Sequence, residues 1–286
     1  MKSVWNSRSW LVVEPVIVLL VIGLLAREIV GLVGADPAAA ERALAQSPPD
    51  WSLLALVEGW SQLVKWGLLL LAAGWLARIR GFRLTRPLGG EPSGFAIWQL
   101  LLFGLAIAIP LHLLSILPRW YHFTIAPLGD TPEIWTLIYG SAWTPDFWIF
   151  MAISSFALVP IVEELFFRGY VLGSLGQRFP ASWAILLSAL IFAIVHTQYV
   201  RPDSFALYNL AAVFLVGAVY AWSVHATRSL IPAMVSHAFC NLPQPLEWAP
   251  FETGMLIPAA MILVWLWPKM QGGQPDAAAT SRRHFR

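Results

Sequence analysis

Charge is what this chain has least of. Only 12% of its 286 residues are Asp, Glu, Lys or Arg, about half the share of a soluble domain, while 58% are hydrophobic and the mean hydropathy is +0.67. So little polar sequence cannot cover one or two globular cores. That excludes soluble enzymes, disordered proteins and DNA-binding domains, and it makes lipid the solvent for most of the chain. The basic excess is also slight, 18 Lys and Arg against 16 Asp and Glu, and a net charge of +2 points to no nucleic-acid partner. A single cysteine, Cys240, excludes an intramolecular disulfide and a cysteine-rich metal cluster. No internal repeat stands out, which argues against an inverted-repeat transporter.

What is abundant is long apolar runs: about Trp10 to Val33, Trp51 to Ala77, Phe95 to Leu117, Phe147 to Val171, Trp183 to Val200, Phe205 to His225, Leu230 to Asn241, and Gly254 to Trp267. The first six are each long enough to cross about 30 Å of hydrocarbon as a helix. The last two are shorter and are interrupted by Pro232, Pro243, Pro245 and Pro250, so the seventh reads as a broken or partly buried helix. The expected fold is all-α, a polytopic transmembrane helical bundle of about eight membrane helices.

Basic residues set the direction, because short loops rich in Lys and Arg stay cytoplasmic. Lys2 and Arg8, then Arg78, Arg80, Arg83 and Arg86, then Arg178, Arg228, and finally Lys269, Arg282, Arg283 and Arg286 all fall on one side. The other side carries Asp36, Glu41, Asp50, Asp130, Glu133, Asp146, Asp203, Glu247 and Glu252. Both termini are thus expected in the cytoplasm. The first run bears Glu14, Arg27 and Glu28 and exceeds a secretory h-region, so it reads as a retained span. Residues 271–286 read as a flexible cytoplasmic tail.

Ionisable groups inside spans cost at least about 2.5 kcal/mol each and need a partner or a function. They concentrate in three places. In Pro160-Ile-Val-Glu163-Glu164-Leu-Phe-Phe-Arg168, Glu164 and Arg168 are four apart and can pair along one helix face, while Glu163 is turned by about 100° to a neighbouring face. One acid is neutralised locally and the other is left free to act. Phe192 and His196 share a second face, and His237 and Asn241 a third. Together these supply a base, an orienting imidazole and two hydrogen-bond donors, an inventory for adding water to a carbonyl. Cys240 falls on another face and reads as filler. His112 and His225 have no evident acid and read as packing or interfacial residues. Gly169 and Gly173 read as a helix–helix contact.

EExxxR, then FxxxH, then HxxxN, each in its own apolar segment, resemble the CPBP family of CAAX proteases and bacteriocin-processing (Abi-type) enzymes over about Phe147 to Pro243. The resemblance implies an intramembrane endopeptidase of the glutamic type. Glu163 matches the catalytic glutamate, which with His196 would polarise the attacking water. His237 and Asn241 match the residues that stabilise the oxyanion, Glu164 with Arg168 looks like the supporting ion pair, and Phe192 supports by packing. A carboxylate without a cation beside it is the better base of two, in keeping with that division.

The resemblance divides the chain into N-terminal helices (1–146), a protease core (147–243), a last helix (244–270) and the tail. The expected partner is a membrane-associated protein or peptide in the bilayer, and no cofactor is expected. Zinc is the less favoured reading, because Asn241 is a poor zinc ligand and no helix spaces two ligands closely. HExxH and GxSG motifs are absent, and Gly129-Asp130 has no second intramembrane Asp. The Ala- and Trp-rich composition suggests a bacterial cytoplasmic membrane. The alternative function is a non-proteolytic scaffold or bacteriocin-immunity protein that binds a peptide in the same polar cavity. For Glu163 to meet His196 in depth, either tilt or an extended fourth helix, one running past Arg168 to about Gln177, has to close the gap, and the cavity is expected to open on the cytoplasmic side, where Arg168 and Arg178 lie.

Overall fold

The computed structural model describes residues 7–32, 37–46, 49–88, 94–120, 144–196, 200, 204–242 and 249–272. Asp36, Gly129-Asp130, Glu133, Asp203, Pro243, Pro245, Glu247 and the tail beyond Gly272 lie outside them. Among the described residues the protein is all-helical: α1 (Arg8–Leu32), α2 (Pro37–Leu44), α3 (Trp51–Ile79), α4 (Ile97–Trp120), α5 (Pro145–Gly176), α6 (Ala181–Ile194), α7 (Ser204–Thr227), α8 (Ile231–Cys240) and α9 (Ala249–Gly272). Six of these are long and apolar enough to cross a membrane, and α6 and α8 are shorter apolar helices. The protein is a polytopic helical membrane bundle. Its outer helices leave large apolar side chains uncovered, among them Leu71 at 72% and Val264 at 73% exposure, a surface that suits acyl chains rather than water.

Two expected spans prove shorter than their apolar runs. The fifth run does not cross as one helix: α6 stops at Ile194, and its 14 residues reach about 21 Å. The cause is local. The backbone N–H of His196 turns to the Ala193 carbonyl, while its imidazole Nδ1 takes the Phe192 carbonyl at 2.6 Å, so a side chain occupies the acceptor that would have continued the helix. The seventh run, α8, starts with Pro232 in its first turn and ends at Cys240.

The fourth run does extend, and α5 continues to Gly176. It is not a regular helix. Residues Ser154–Leu158 and Leu165–Val171 are wound as π-turns on either side of Val159–Glu164. Pro160 explains the first of these. Proline has no N–H and crowds the preceding turn, and in π winding the Val159 N–H reaches back to the Ser154 carbonyl. The next bond in that register would run from residue 160 to the Ser155 carbonyl, and proline cannot donate it. The Ser155 carbonyl is therefore orphaned within the bundle.

The core forms where α1, α3, α5, α6, α7 and α8 converge, around Leu11, Trp66, Leu69, Phe166, Phe167, Tyr170, Phe192 and Tyr220. What lies nearest Gly169 and Gly173 is not another helix. A Cβ at Gly169 would lie 2.9 Å from the Leu84 carbonyl oxygen, and one at Gly173 would lie 3.0 Å from Phe82 and Pro87. The bare helix face admits the backbone of the segment after α3, so the expected helix–helix contact is a helix–loop contact. A buried polar knot fastens the N-terminal spans to α5: Glu14 of α1 accepts from Arg80 at the end of α3 and from the Tyr170 hydroxyl at 2.6 Å.

Candidate active site

The motif residues converge at the middle of the core. Glu164 and Arg168 are both fully buried, with Arg168 Nη1 donating to Glu164 Oε1 at 2.8 Å along one face of α5. The other terminal nitrogen, Nη2, donates to the Gly217 carbonyl of α7 at 3.0 Å. The guanidinium lies over Phe192 at 4.3 Å and near the rings of Tyr220 and Phe167, so its charge is met by one carboxylate and three aromatic faces. Gly217 is what lets α7 approach, since a Cβ there would sit 3.0 Å from Phe192 and 3.3 Å from Arg168. Neither Gly217 nor Tyr220 stands out in the sequence.

His237 of α8 is the hinge of the cluster. Its Nδ1 lies 2.9 Å from Glu164 Oε1. A carboxylate can only accept, so that nitrogen carries the proton. Its Nε2 then points to Glu163, 3.8 Å from Oε2, too long for a hydrogen bond, and the two attract when Nε2 carries a proton as well. Tyr220 stacks on the imidazole with centroids 5.4 Å apart. Of the two adjacent acids, Glu164 is held by Arg168 and His237, whereas among the described residues Glu163 has that one loose contact.

His196 lies beside them at the end of α6, its ring 4.7 Å from Phe192, which also faces His237 at 6.0 Å. Because the Phe192 carbonyl accepts from Nδ1, a neutral His196 presents Nε2 as an acceptor. Asn241, just past α8, donates through Nδ2 to the Ser155 carbonyl at 2.7 Å, the carbonyl that Pro160 leaves orphaned. One N–H of the carboxamide is thereby used, and the other has no partner among the described residues.

Burial grades across the site. Arg168 and Glu164 are sealed, Glu163 is 9% exposed, and His196, Asn241 and Ser155 are half-buried. Among the described residues, access therefore increases away from Arg168, opposite to the opening expected from the basic residues. A fully buried guanidinium belongs to the interior and marks no entrance. Also among the described residues, no group of three or more His, Cys, Asp or Glu side chains is arranged to hold a metal ion.

Sequence reasoning missed two further sets of polar groups. His112 of α4 is paired, its Nδ1 2.7 Å from Glu252 Oε1 of α9, and both are buried. The acid it lacked in the sequence lies 140 positions away. Glu58, Gln62 and Lys65 share the inner face of α3, and their i, i+4, i+7 spacing was the available signal.

An all-helical membrane bundle with a carboxylate, two imidazoles and a carboxamide gathered at the junction of short and wound helices defines a class: a polytopic membrane protein with an intramembrane polar site. Within the chain, residues 144–243 match the family described as Rce1-like, type II CAAX prenyl endopeptidase Rce1-like. Two curated relatives each match part of the chain: UPF0177 protein YxdF of Lactococcus lactis subsp. lactis, 31% identical over 85 residues, and CAAX prenyl protease 2 of Caenorhabditis elegans, 30% identical over 93 residues. These alignments cover 30% and 29% of this chain, and 42% and 35% of the respective relatives, so the chain spans less than half the length of either. The resemblance to the CAAX protease family read from the three motifs thus holds. No solved structure matches the chain.

Proposed function

We propose that this protein is an intramembrane endopeptidase that hydrolyses a peptide bond in a membrane-associated protein or peptide, with Glu163 as the base. The observation that carries the reading is the asymmetry of the two adjacent acids: Glu164 is held by Arg168 and His237, while among the described residues Glu163 accepts no hydrogen bond and stands 3.8 Å from His237. The match to a CAAX endopeptidase family and the likeness to a CAAX prenyl protease support it.

In this reading the Glu163 carboxylate and the Nε2 lone pair of His196 each accept one hydrogen of a water molecule. That arrangement directs the water's oxygen lone pair outward to a scissile carbonyl. As the C–O bond forms, the proton passes to Glu163 and negative charge gathers on the carbonyl oxygen. The second N–H of Asn241 and, with protons on both nitrogens, Nε2–H of His237 meet that charge in a dry site where donors act strongly. When the C–N bond breaks, Glu163 returns the proton to the leaving amine. No metal takes part in these steps. The cell context we propose is a bacterial cytoplasmic membrane with both termini cytoplasmic.

The test is incubation of wild type and Glu163→Gln, in nanodiscs, with membrane-anchored peptides read by mass spectrometry. Cleavage by wild type that the nearly isosteric substitution abolishes is the expected result. Equal cellular function of the two proteins would overturn the reading in favour of a peptide-binding scaffold.

A further inference from the structure

A lysine at mid-depth in a membrane helix needs an anion, and Lys65 stands 14 residues from each end of α3. Among the described residues no carboxylate lies within ion-pair distance of its ammonium. The contact it makes is with the face of Trp66, at 4.3 Å. Glu58 lies two turns away on the same stripe, within electrostatic reach but not paired. Gln62, between them, has its carbonyl oxygen committed to the Trp66 indole N–H, which can only donate. That fixes the carboxamide and leaves its NH2 group free to donate. Lys65 and Gln62 together present ammonium and amide donors that meet no acceptor among the described residues.

This stripe faces the site. Trp66, Leu69 and Ala73 continue it into the core beside Phe166, Phe167 and Tyr170 of α5. The two helices lie side by side: Trp51 meets Phe147 at one end, and Arg80 meets Tyr170 at the other. Lys65, midway, falls about level with Leu158, roughly 8 Å along the axis from Glu163 on the side where the cluster is half-exposed. It lies within electrostatic reach of His196. An extended peptide covers that distance in two or three residues.

We propose that Lys65 and Gln62 form a carboxylate-recognition subsite that holds the acidic end of the substrate while the peptide bond a few residues away lies at Glu163. One ammonium and one amide match a single-charged, two-oxygen carboxylate. A phosphate dianion fits poorly, with one cation to meet it and Glu58 on the same face repelling the second charge. The carboxylate is the chain terminus of the substrate or an Asp or Glu side chain near it. This subsite rests on the endopeptidase reading above and names the specificity of that same site.

The test separates binding from turnover. Glu163→Gln protein in nanodiscs is mixed with acyl-anchored peptides made in three forms: a C-terminal free acid, the C-terminal amide, and the amide with an Asp at the penultimate position. Retained peptide is quantified by mass spectrometry. The expected result is at least tenfold enrichment of the free acid over the plain amide. Adding Lys65→Gln should abolish that enrichment, and Lys65→Arg should preserve it. Recovery of binding by the Asp form would assign the site to any nearby carboxylate rather than the terminus. Equal retention of acid and amide, retention of neither, or a preference undiminished by Lys65→Gln would overturn the subsite. Cleavage by wild type is scored separately on the same peptides, so an acid preference without cleavage would sink the endopeptidase reading and leave the anion site standing.

Discussion

Two of the buried polar knots among the described residues pair a glutamate with an arginine and a tyrosine nearby, and they differ in how much of their hydrogen-bond capacity is spent. Where α1 and α3 meet α5, Glu14 accepts from both Arg80 and Tyr170, and the acid is closed by its neighbours. Where α6 and α8 meet α5, Glu164 is held through Oε1 by both Arg168 and His237, its buried Oε2 has no partner among the described residues, and Glu163, His196 and Asn241 keep capacity unspent farther out. Both knots keep charge out of lipid. Among the described residues only the second leaves a carboxylate, an imidazole nitrogen and a carboxamide N–H uncommitted toward a half-exposed edge. Residue type in a membrane core therefore says little about chemistry until its hydrogen-bond capacity has been counted.

Substitutions can break that contrast, starting where the effect is largest. Glu163→Gln should lower cleavage about 10²- to 10⁴-fold, with thermal unfolding in detergent unchanged within about 1 kcal/mol. Asn241→Ala should cost about 10²- to 10³-fold in kcat, measured by peptide cleavage, as expected for loss of an oxyanion donor. Arg168→Ala belongs to the closed part of the knot. It should destabilise the fold by about 3–5 kcal/mol by leaving Glu164 buried without its cation, seen as a lowered unfolding temperature. Glu14→Gln should act through stability alone, by about 1–3 kcal/mol, with activity per folded molecule retained. If it instead changed kcat without a stability loss, the two knots would not be distinct in kind. Treatment with a zinc chelator is the smallest expected effect, no change in cleavage rate, and a loss restored by added zinc would put a metal at His196, His237 and Glu163.

What could be read from the sequence was what is local in it. The Glu164–Arg168 pair follows from four-residue spacing, and the membrane bundle follows from run length and scarce charge. Contacts between distant segments could not be read that way. His112 finds Glu252, and Asn241 finds Ser155, only after α4, α5, α8 and α9 are packed together. Hydropathy also misjudged the fifth run, because an apolar window does not register that the His196 imidazole takes the carbonyl its own helix needs. The inner stripe of α3 was legible by spacing and went unread, since a lone lysine among so many leucines looks like a snorkelling residue.

Pro160 has a reach beyond the bend it makes. By removing one donor from α5 it creates a vacancy in the backbone, and that vacancy is filled 86 positions away by the side chain proposed above as the oxyanion donor. Asn241 is thus aimed by an irregularity in a different helix. An EExxxR sequence transplanted onto a regular helix would carry the acids in register but offer no unsatisfied carbonyl to fix the carboxamide. The portable unit of this site is accordingly the wound helix with its proline, and the glutamates are legible only as passengers on it.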